Sequence, residues 1–177
     1  MKTSGKVFAY LGTVRPNRNP HASIVSFMKV AGSADRLVLA GMGLRAFLPE
    51  SNADPRIITF DRFLLPDDYR DLICAADFVI NDGERYLTSA VIRTALSYGV
   101  PVIAHPYGAT LDMAQGAALF IGAEGVEGAL REAMNMDRDR YELLCGEAHK
   151  RNDERSWEES GRKLDDYFRH VAVSMKG

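Results

Sequence analysis

Three segments of the sequence carry side chains and spacings suited to holding an anion. Residues 12–19 read Gly-Thr-Val-Arg-Pro-Asn-Arg-Asn, directly after a short apolar run. Gly12 lets a ligand approach the backbone, and Arg15 and Arg18, three positions apart, can clamp a diphosphate through planar guanidinium forks. A solvated basic turn has the same composition. Residues 41–46, Gly-Met-Gly-Leu-Arg-Ala, fit the dinucleotide fingerprint G-x-G-x-x-A, and Asp61 stands about twenty residues on, where an acid can meet a ribose. That match follows the second apolar run rather than the first, and Pro49 and the turn-like residues 51–55 cut its helix short. A tight strand-to-helix turn explains the glycines equally well. In residues 84–90, Glu-Arg-Tyr-Leu-Thr-Ser-Ala, either Thr88 or Ser89 suits an N-cap, and the small Ala90 leaves first-turn amides open. Open amides at a helix start attract a diphosphate; a plain structural cap looks the same.

The elements that must position these loops alternate along the chain. Apolar runs at 7–11, 37–40, 57–60, 78–80, 102–104 and 119–121 read as six strands. Helical stretches stand between them at 22–31, after Gly43, at 66–76 and at 88–98. Asp67 and Asp68 fall in a first helical turn, where acids complement the helix dipole. From Glu124 onward the pattern is helical only, with helices over 126–136, 138–151 and 157–173. The expected fold is α/β, a Rossmann-like open parallel sheet of about six strands with helices on both faces and a helical C-terminal end. In such a sheet ligands bind outside the carboxyl ends of the strands, where all three loops lie. No repeat or Pro/Gly-rich linker divides residues 1–177, so they read as a single domain.

Composition narrows the function classes. The 177 residues are 46% hydrophobic and 26% charged with a net charge of -2, which gives no bulk attraction for nucleic acid. No apolar run reaches the length of a membrane span and no signal-peptide h-region appears, so a cytoplasmic protein is expected. Cys74 and Cys145 match no metal or redox spacing and read as buried thiols. No Asp-x-Asp metal motif appears: Asp67-Asp68 opens a helix and Asp165-Asp166 lies in a late one. Of the four histidines, His105 follows the fifth strand and faces the ligand edge, whereas His21, His149 and His170 read as surface residues.

Together these segments resemble the C-terminal, donor-binding domain of GT-B glycosyltransferases, in the large retaining family of group 1 type. GTVRPNRN at 12–19 is similar to that family's first loop, LVLAGMG at 37–43 to its second strand and glycine turn, and ICAADFVI at 73–80 to its helix-to-strand segment. YLTSAVIRTALSYGVPVIAHPYGATLD, residues 86–112, resembles a subgroup linked to exopolysaccharide assembly. Ser156-Trp157 and Tyr167 resemble the last helix, which in the family packs back toward the N-terminal domain.

The resemblance implies a nucleotide-diphosphate sugar as donor, a glycan or lipid-linked acceptor, a role in polysaccharide biosynthesis, and neither cofactor nor metal. It puts Gly12, Arg15, Arg18, Thr88, Ser89 and Ala90 at the donor diphosphate, and Phe63 and Leu64 at the nucleobase. Arg18 stands where the family usually has lysine, and Ala90 where the subgroup usually has glycine. Tyr86 and Thr94 occupy the positions of the family's two glutamates, so Thr94 falls at the usual ribose contact. His105 is a further candidate donor contact. The acceptor and any general base belong to an N-terminal domain that this chain has no room for, so the chain is expected to be part of a longer enzyme and inactive alone. Peripheral membrane association of the full enzyme fits the same picture. An NAD(P)-type domain on Gly41–Asp61, a nucleotide-sugar epimerase or inverting transferase of this architecture, and a non-catalytic binding module are the alternatives.

Overall fold

The computed structural model describes residues 5–14, 18, 20–48, 54–83, 88–154 and 156–174. Six parallel strands, β1 (Val7–Leu11), β2 (Arg36–Ala40), β3 (Ile57–Phe60), β4 (Phe78–Asn81), β5 (Val102–Ala104) and β6 (Ala118–Phe120), form one sheet in the order β3-β2-β1-β4-β5-β6. The chain steps outward from β1 to β3, then returns across the sheet to β4. That reversal puts the topological switch point at the carboxyl ends of β1 and β4, where the crevice of an open α/β sheet takes its ligand.

Period-two alternation divides the strands between two cores. Phe8, Tyr10, Phe78 and Ile80 face one side, where they meet α1 (His21–Val30) and α5 (Gly125–Asn135). Phe8 stacks on Phe78 at 5.9 Å and meets Phe27 of α1 edge-on at 6.1 Å. Ala9, Leu11 and Val79 face the other side, toward α2 (Pro66–Cys74), α3 (Ala90–Ser97) and α4 (Ala109–Ala114). Small residues dominate there: Ala9, Ala95, Ala104, Ala114 and Ala148 let α3, α4 and α6 (Arg138–Asp153) approach closely. The last helix, α7 (Trp157–Ser174), contributes no described residue to either core.

The six-strand parallel architecture and its C-terminal helices are as the sequence indicates, with local differences. Helix α4 has no counterpart in the sequence reading, because six residues are too few for an apolar period to register. It starts after Gly108, whose φ of 53° few other residues tolerate. Strand β6 sits one residue earlier than 119–121, although Ile121 still donates to Ala104 at 2.9 Å. Neither cysteine is buried. Cys74 is exposed in the last turn of α2, whose buried position is taken by Ile73, and Cys145 is half-buried.

The two acids opening α2 do what a first turn favours. Asp68 accepts from both Arg62 Nη atoms at 2.7 and 2.9 Å and from the Leu65 N–H at 3.0 Å. Those bonds, Arg62 first, hold its carboxyl down at about 2. Because the folded value lies below the unfolded one, the stabilisation is full above pH 4 or so and is lost as pH falls through about 2. Thermal melts of Asp68→Asn against the parent are therefore expected to differ at neutral pH and to converge near pH 2.

Candidate functional site

The loop after β1 is laid against the loop after β2 by backbone bonds. Gly12 N–H donates to Ala40 at 2.8 Å, Val14 N–H to Met42 at 3.1 Å, and Gly41 N–H to Phe60 at 3.0 Å. Both glycines hold positive φ, 111° at Gly12 and 141° at Gly41. The missing side chain at Gly12 makes room for Arg18: a Cβ there would lie 2.5 Å from Arg18 Nη1.

Arg18 is therefore not a solvated side chain. It is 8% exposed, and its guanidinium lies over the Tyr10 ring, 4.9 Å from the centroid. Its Nε and Nη2 are buried without a hydrogen-bond partner among the described residues. Arg15, its companion in the sequence motif, lies outside the described residues.

Strand parity brings acidic and hydroxylic groups to this guanidinium. Tyr10, Ile80 and Asp82 share a parity and face the α1 side, where Ser23 in the first turn of α1 donates to Asp82 Oδ2 at 2.5 Å. Burial first, then the Asp82 charge, pushes the Tyr10 phenol well above its ordinary value. Burial also raises the Asp82 carboxyl, against the pull of Ser23, Tyr10 and Arg18. Asn81 faces the opposite side and donates to Ser89 Oγ at 2.7 Å. No motif flagged Tyr10, Ser23, Asn81 or Asp82; the only signal was polarity at the end of an otherwise apolar strand.

At the start of α3, Ser89 rather than Thr88 is the N-cap, accepting from Ile92 N–H at 3.4 Å. Ser89 is buried and its oxygen serves the cap and Asn81, while Thr88 and Ala90 on either side are exposed. The Ser89 side chain thus holds the turn in place, and the Thr88 and Ala90 side chains are its exposed part. Thr94, one turn on and half-buried, donates to the Ala90 carbonyl at 2.8 Å. Its hydroxyl proton is committed to its own helix, and a ligand reaches it only as an acceptor.

Phe63 and Leu64 do join the first loop. With Gly12, Thr13, Gly41 and Met42 they line a cleft of about 100 Å³, and Phe63 is 70% exposed at its mouth. An exposed aromatic beside a cleft of backbone groups suits a planar ring that stacks and pairs with main-chain atoms. His105 is half-buried at the carboxyl end of β5, one strand beyond β4. A wider groove of 870 Å³ lies where α7 passes α3 and α4, lined by charges of both signs such as Arg93, Asp112, Glu159 and Lys163. Among the described residues no three of His, Cys, Asp and Glu gather as metal ligands.

The dinucleotide fingerprint is spent on the fold. Asp61 accepts from the backbone N–H groups of Gly43, Leu44 and Arg45 at 2.7, 3.3 and 3.4 Å. The amides that a pyrophosphate needs are occupied by the chain's own carboxylate, and the acid intended for a ribose is turned away from it. Asp61→Ala is expected to behave as loss of a cap, costing about 1 kcal/mol in urea melts, while leaving binding at the β1–β4 crevice intact.

No protein-family model matches the sequence, and no curated protein matches it. Solved structures share its fold. Sucrose-phosphate synthase of Thermosynechococcus elongatus superposes with a TM-score of 0.78 at 14% identity, over 98% of this chain and 47% of that one. α,α-Trehalose 6-phosphate synthase of Burkholderia multivorans gives 0.77 at 11% identity, over 97% and 44%. HepE of Anabaena, solved in complex with UDP-glucose, gives 0.69 at 17%, over 85% and 44%. The chain thus has a fold found in GT-B glycosyltransferases, and it spans less than half the length of each of these proteins. Among the described residues no helix is long and apolar enough to cross a membrane.

Proposed function

We propose that this chain is the donor-binding part of a two-domain glycosyltransferase and holds a nucleotide-diphosphate sugar in the β1–β4 crevice for transfer to a glycan or lipid-linked acceptor. The observation that carries the reading is Arg18, a buried guanidinium with two N–H groups unclaimed by the described residues, at the switch point of the sheet. A diphosphate is the ligand class whose oxygens satisfy such a fork bidentately. The capped start of α3 adds a second source of positive potential on the neighbouring strand, and the cleft at Phe63 and Leu64 takes the base.

In this reading the chemistry asked of the chain is stabilisation of the leaving diphosphate as the sugar–phosphate bond breaks. Arg15, Arg18 and the α3 amides supply fixed positive charge where negative charge develops, so donor binding is expected to survive chelation of divalent metals. In this reading Thr94 falls to the donor ribose and His105 is a further donor contact. The acceptor site belongs to a second domain, and α7 is the surface that meets it. Trp157 is 91% exposed, and Leu164, Tyr167 and Phe168 lie on the same side of the helix, each more than half exposed. The opposite side of α7 is occupied by the ion pairs of Arg162 with Glu159 and Asp166 and of Arg169 with Asp165. Retaining stereochemistry, an exopolysaccharide-type acceptor, a cytoplasmic location and peripheral membrane attachment of the whole enzyme belong to the same proposal.

The test is thermal stability against UDP-, GDP- and ADP-linked sugars with NAD and NADP alongside. Hundredfold excess over Kd stabilises by about 2.7 kcal/mol. For a domain of this size that raises the melting temperature by roughly 5–10 °C. UDP-glucose is the first choice because HepE was solved with it. A rise with one nucleotide-sugar class identifies the base; a rise with NAD alone would sink the reading in favour of a dinucleotide domain. Nucleotide release by a longer protein containing this chain, with transfer to an acceptor, separates a transferase from an epimerase.

A further inference from the structure

Buried polar atoms without a hydrogen-bond partner among the described residues concentrate at the ends of β1 and β4: the Tyr10 hydroxyl, Arg18 Nε and Nη2, Asn81 Oδ1 and Asp82 Oδ1. Arg18 needs them explained more than the rest. A guanidinium cannot shed its proton to escape burial, so its charge must be balanced by its surroundings. The Tyr10 ring face supplies part of the balance, and among the described residues the charge of the Asp82 carboxylate acts on it as well.

Asp82 is itself held from the far side. Ser23 of α1 fixes Oδ2, and Oδ1 is buried without a hydrogen-bond partner among the described residues. A diphosphate bound at Arg18 brings at least one further negative charge into the same buried space. Two anions sharing one cation in a low dielectric repel strongly, and the one that can take a proton does so.

We propose that Asp82 is the counter-charge of Arg18 in the ligand-free crevice, and that its Oδ1 takes a proton from solvent when the diphosphate of a donor reaches that guanidinium. Asp82 is a positioning residue in this scheme, acting on the donor through Arg18. The proposal rests on the donor-binding reading and adds to it a coupling between ligand and proton. The groups facing Asp82 define what else can titrate. Tyr10 comes from β1 and Arg18 from the following loop; α1 contributes Ser23 and, exposed at its first position, His21; β4 contributes Asn81, which is turned to Ser89.

The experiment is a carbon-detected titration of the side-chain carboxyls of the 177-residue chain, without ligand and with saturating UDP-glucose or inorganic pyrophosphate. Asp82→Asn assigns the resonance. The expected result is a higher Asp82 midpoint with either ligand. Between the two midpoints affinity falls as pH rises, by up to about tenfold per unit. That component is absent in Asp82→Asn, where His21 is unchanged. Should that variant not fold, Ser23→Ala serves instead: loss of its hydrogen bond to the carboxylate raises the ligand-free midpoint and shrinks the ligand-induced rise. A midpoint that stays put or falls while ligand signals saturate would overturn the proton coupling alone. Resonances that respond to neither ligand would overturn the donor reading together with it.

Discussion

Gly41→Ala is expected to lose about 2–5 kcal/mol of stability and, with it, any ligand affinity of the β1–β4 crevice. A Cβ at Gly41 would stand 2.3 Å from the Gly12 carbonyl oxygen and 2.5 Å from its carbon, where no flexible side chain can yield. The φ of 141° adds backbone strain that any L residue must bear. Relief requires parting the two loops, which breaks the Gly12–Ala40 and Gly41–Phe60 bonds that set the roof over Arg18. At roughly 2–4 °C per kcal/mol the melting temperature should fall by about 4–20 °C. Gly146→Ala is the contrasting control: it lies inside α6 with nothing within 4 Å of an added Cβ. Its helix propensity should raise stability by about 0.5–1 kcal/mol. Urea unfolding of the two variants compares them directly, and a neutral Gly41→Ala would mean that the loops do not meet as described.

The contrast between those glycines marks what the sequence could and could not disclose. Alternating apolar runs and amphipathic stretches made the order of elements legible, because each run must bury a face to persist. The two-sided division of the core followed from the same alternation: Phe8 and Tyr10 on one face, Ala9 and Leu11 on the other. A cap at Thr88 or Ser89 and the acidic first turn of α2 were legible because capping is local, although the choice between the two hydroxyls was not. Partnerships between distant residues were not. Nothing near Asp61 says that it caps the turn of Gly43, and nothing near Asp82 points to Ser23, 59 residues earlier. Arg18 fitted a diphosphate clamp and a solvated basic turn equally well in the sequence; only the space beneath Gly12 puts it inside. The cysteines failed for a related reason. An apolar helix stretch says that one face is buried, and Ile73 rather than Cys74 occupies that face.

Arg18→Met separates the two roles of that arginine, and its largest effect is on binding. Removing a buried charged donor from a phosphate fork costs about 3–5 kcal/mol of affinity, a loss of at least a hundredfold in Kd for UDP-glucose. The ligand-free protein is expected to respond in the other direction. Its guanidinium leaves Nε and Nη2 without a partner among the described residues, a penalty of about 1–3 kcal/mol, against about 0.5–2 kcal/mol returned by the Tyr10 ring. Methionine keeps much of the volume beneath Gly12 and carries neither charge nor donor. The gain must depend on pH, because Arg18 also steadies Asp82. The Asp82 carboxyl is already raised above its unfolded value, so its ionised form costs stability as pH climbs. Without Arg18 that cost grows. The variant should therefore equal or exceed the parent in melting temperature at the acidic end of the range and lose the advantage as pH climbs through the raised Asp82 value. Arg18→Lys keeps the charge but not the fork, and should weaken donor binding less than methionine does. Melting curves from pH 5 to 9, each with and without UDP-glucose, read both effects in one series. Retained donor stabilisation in Arg18→Met would sink the assignment of the diphosphate to this guanidinium, whereas a collapse of the ligand-free fold would show the arginine to be structural.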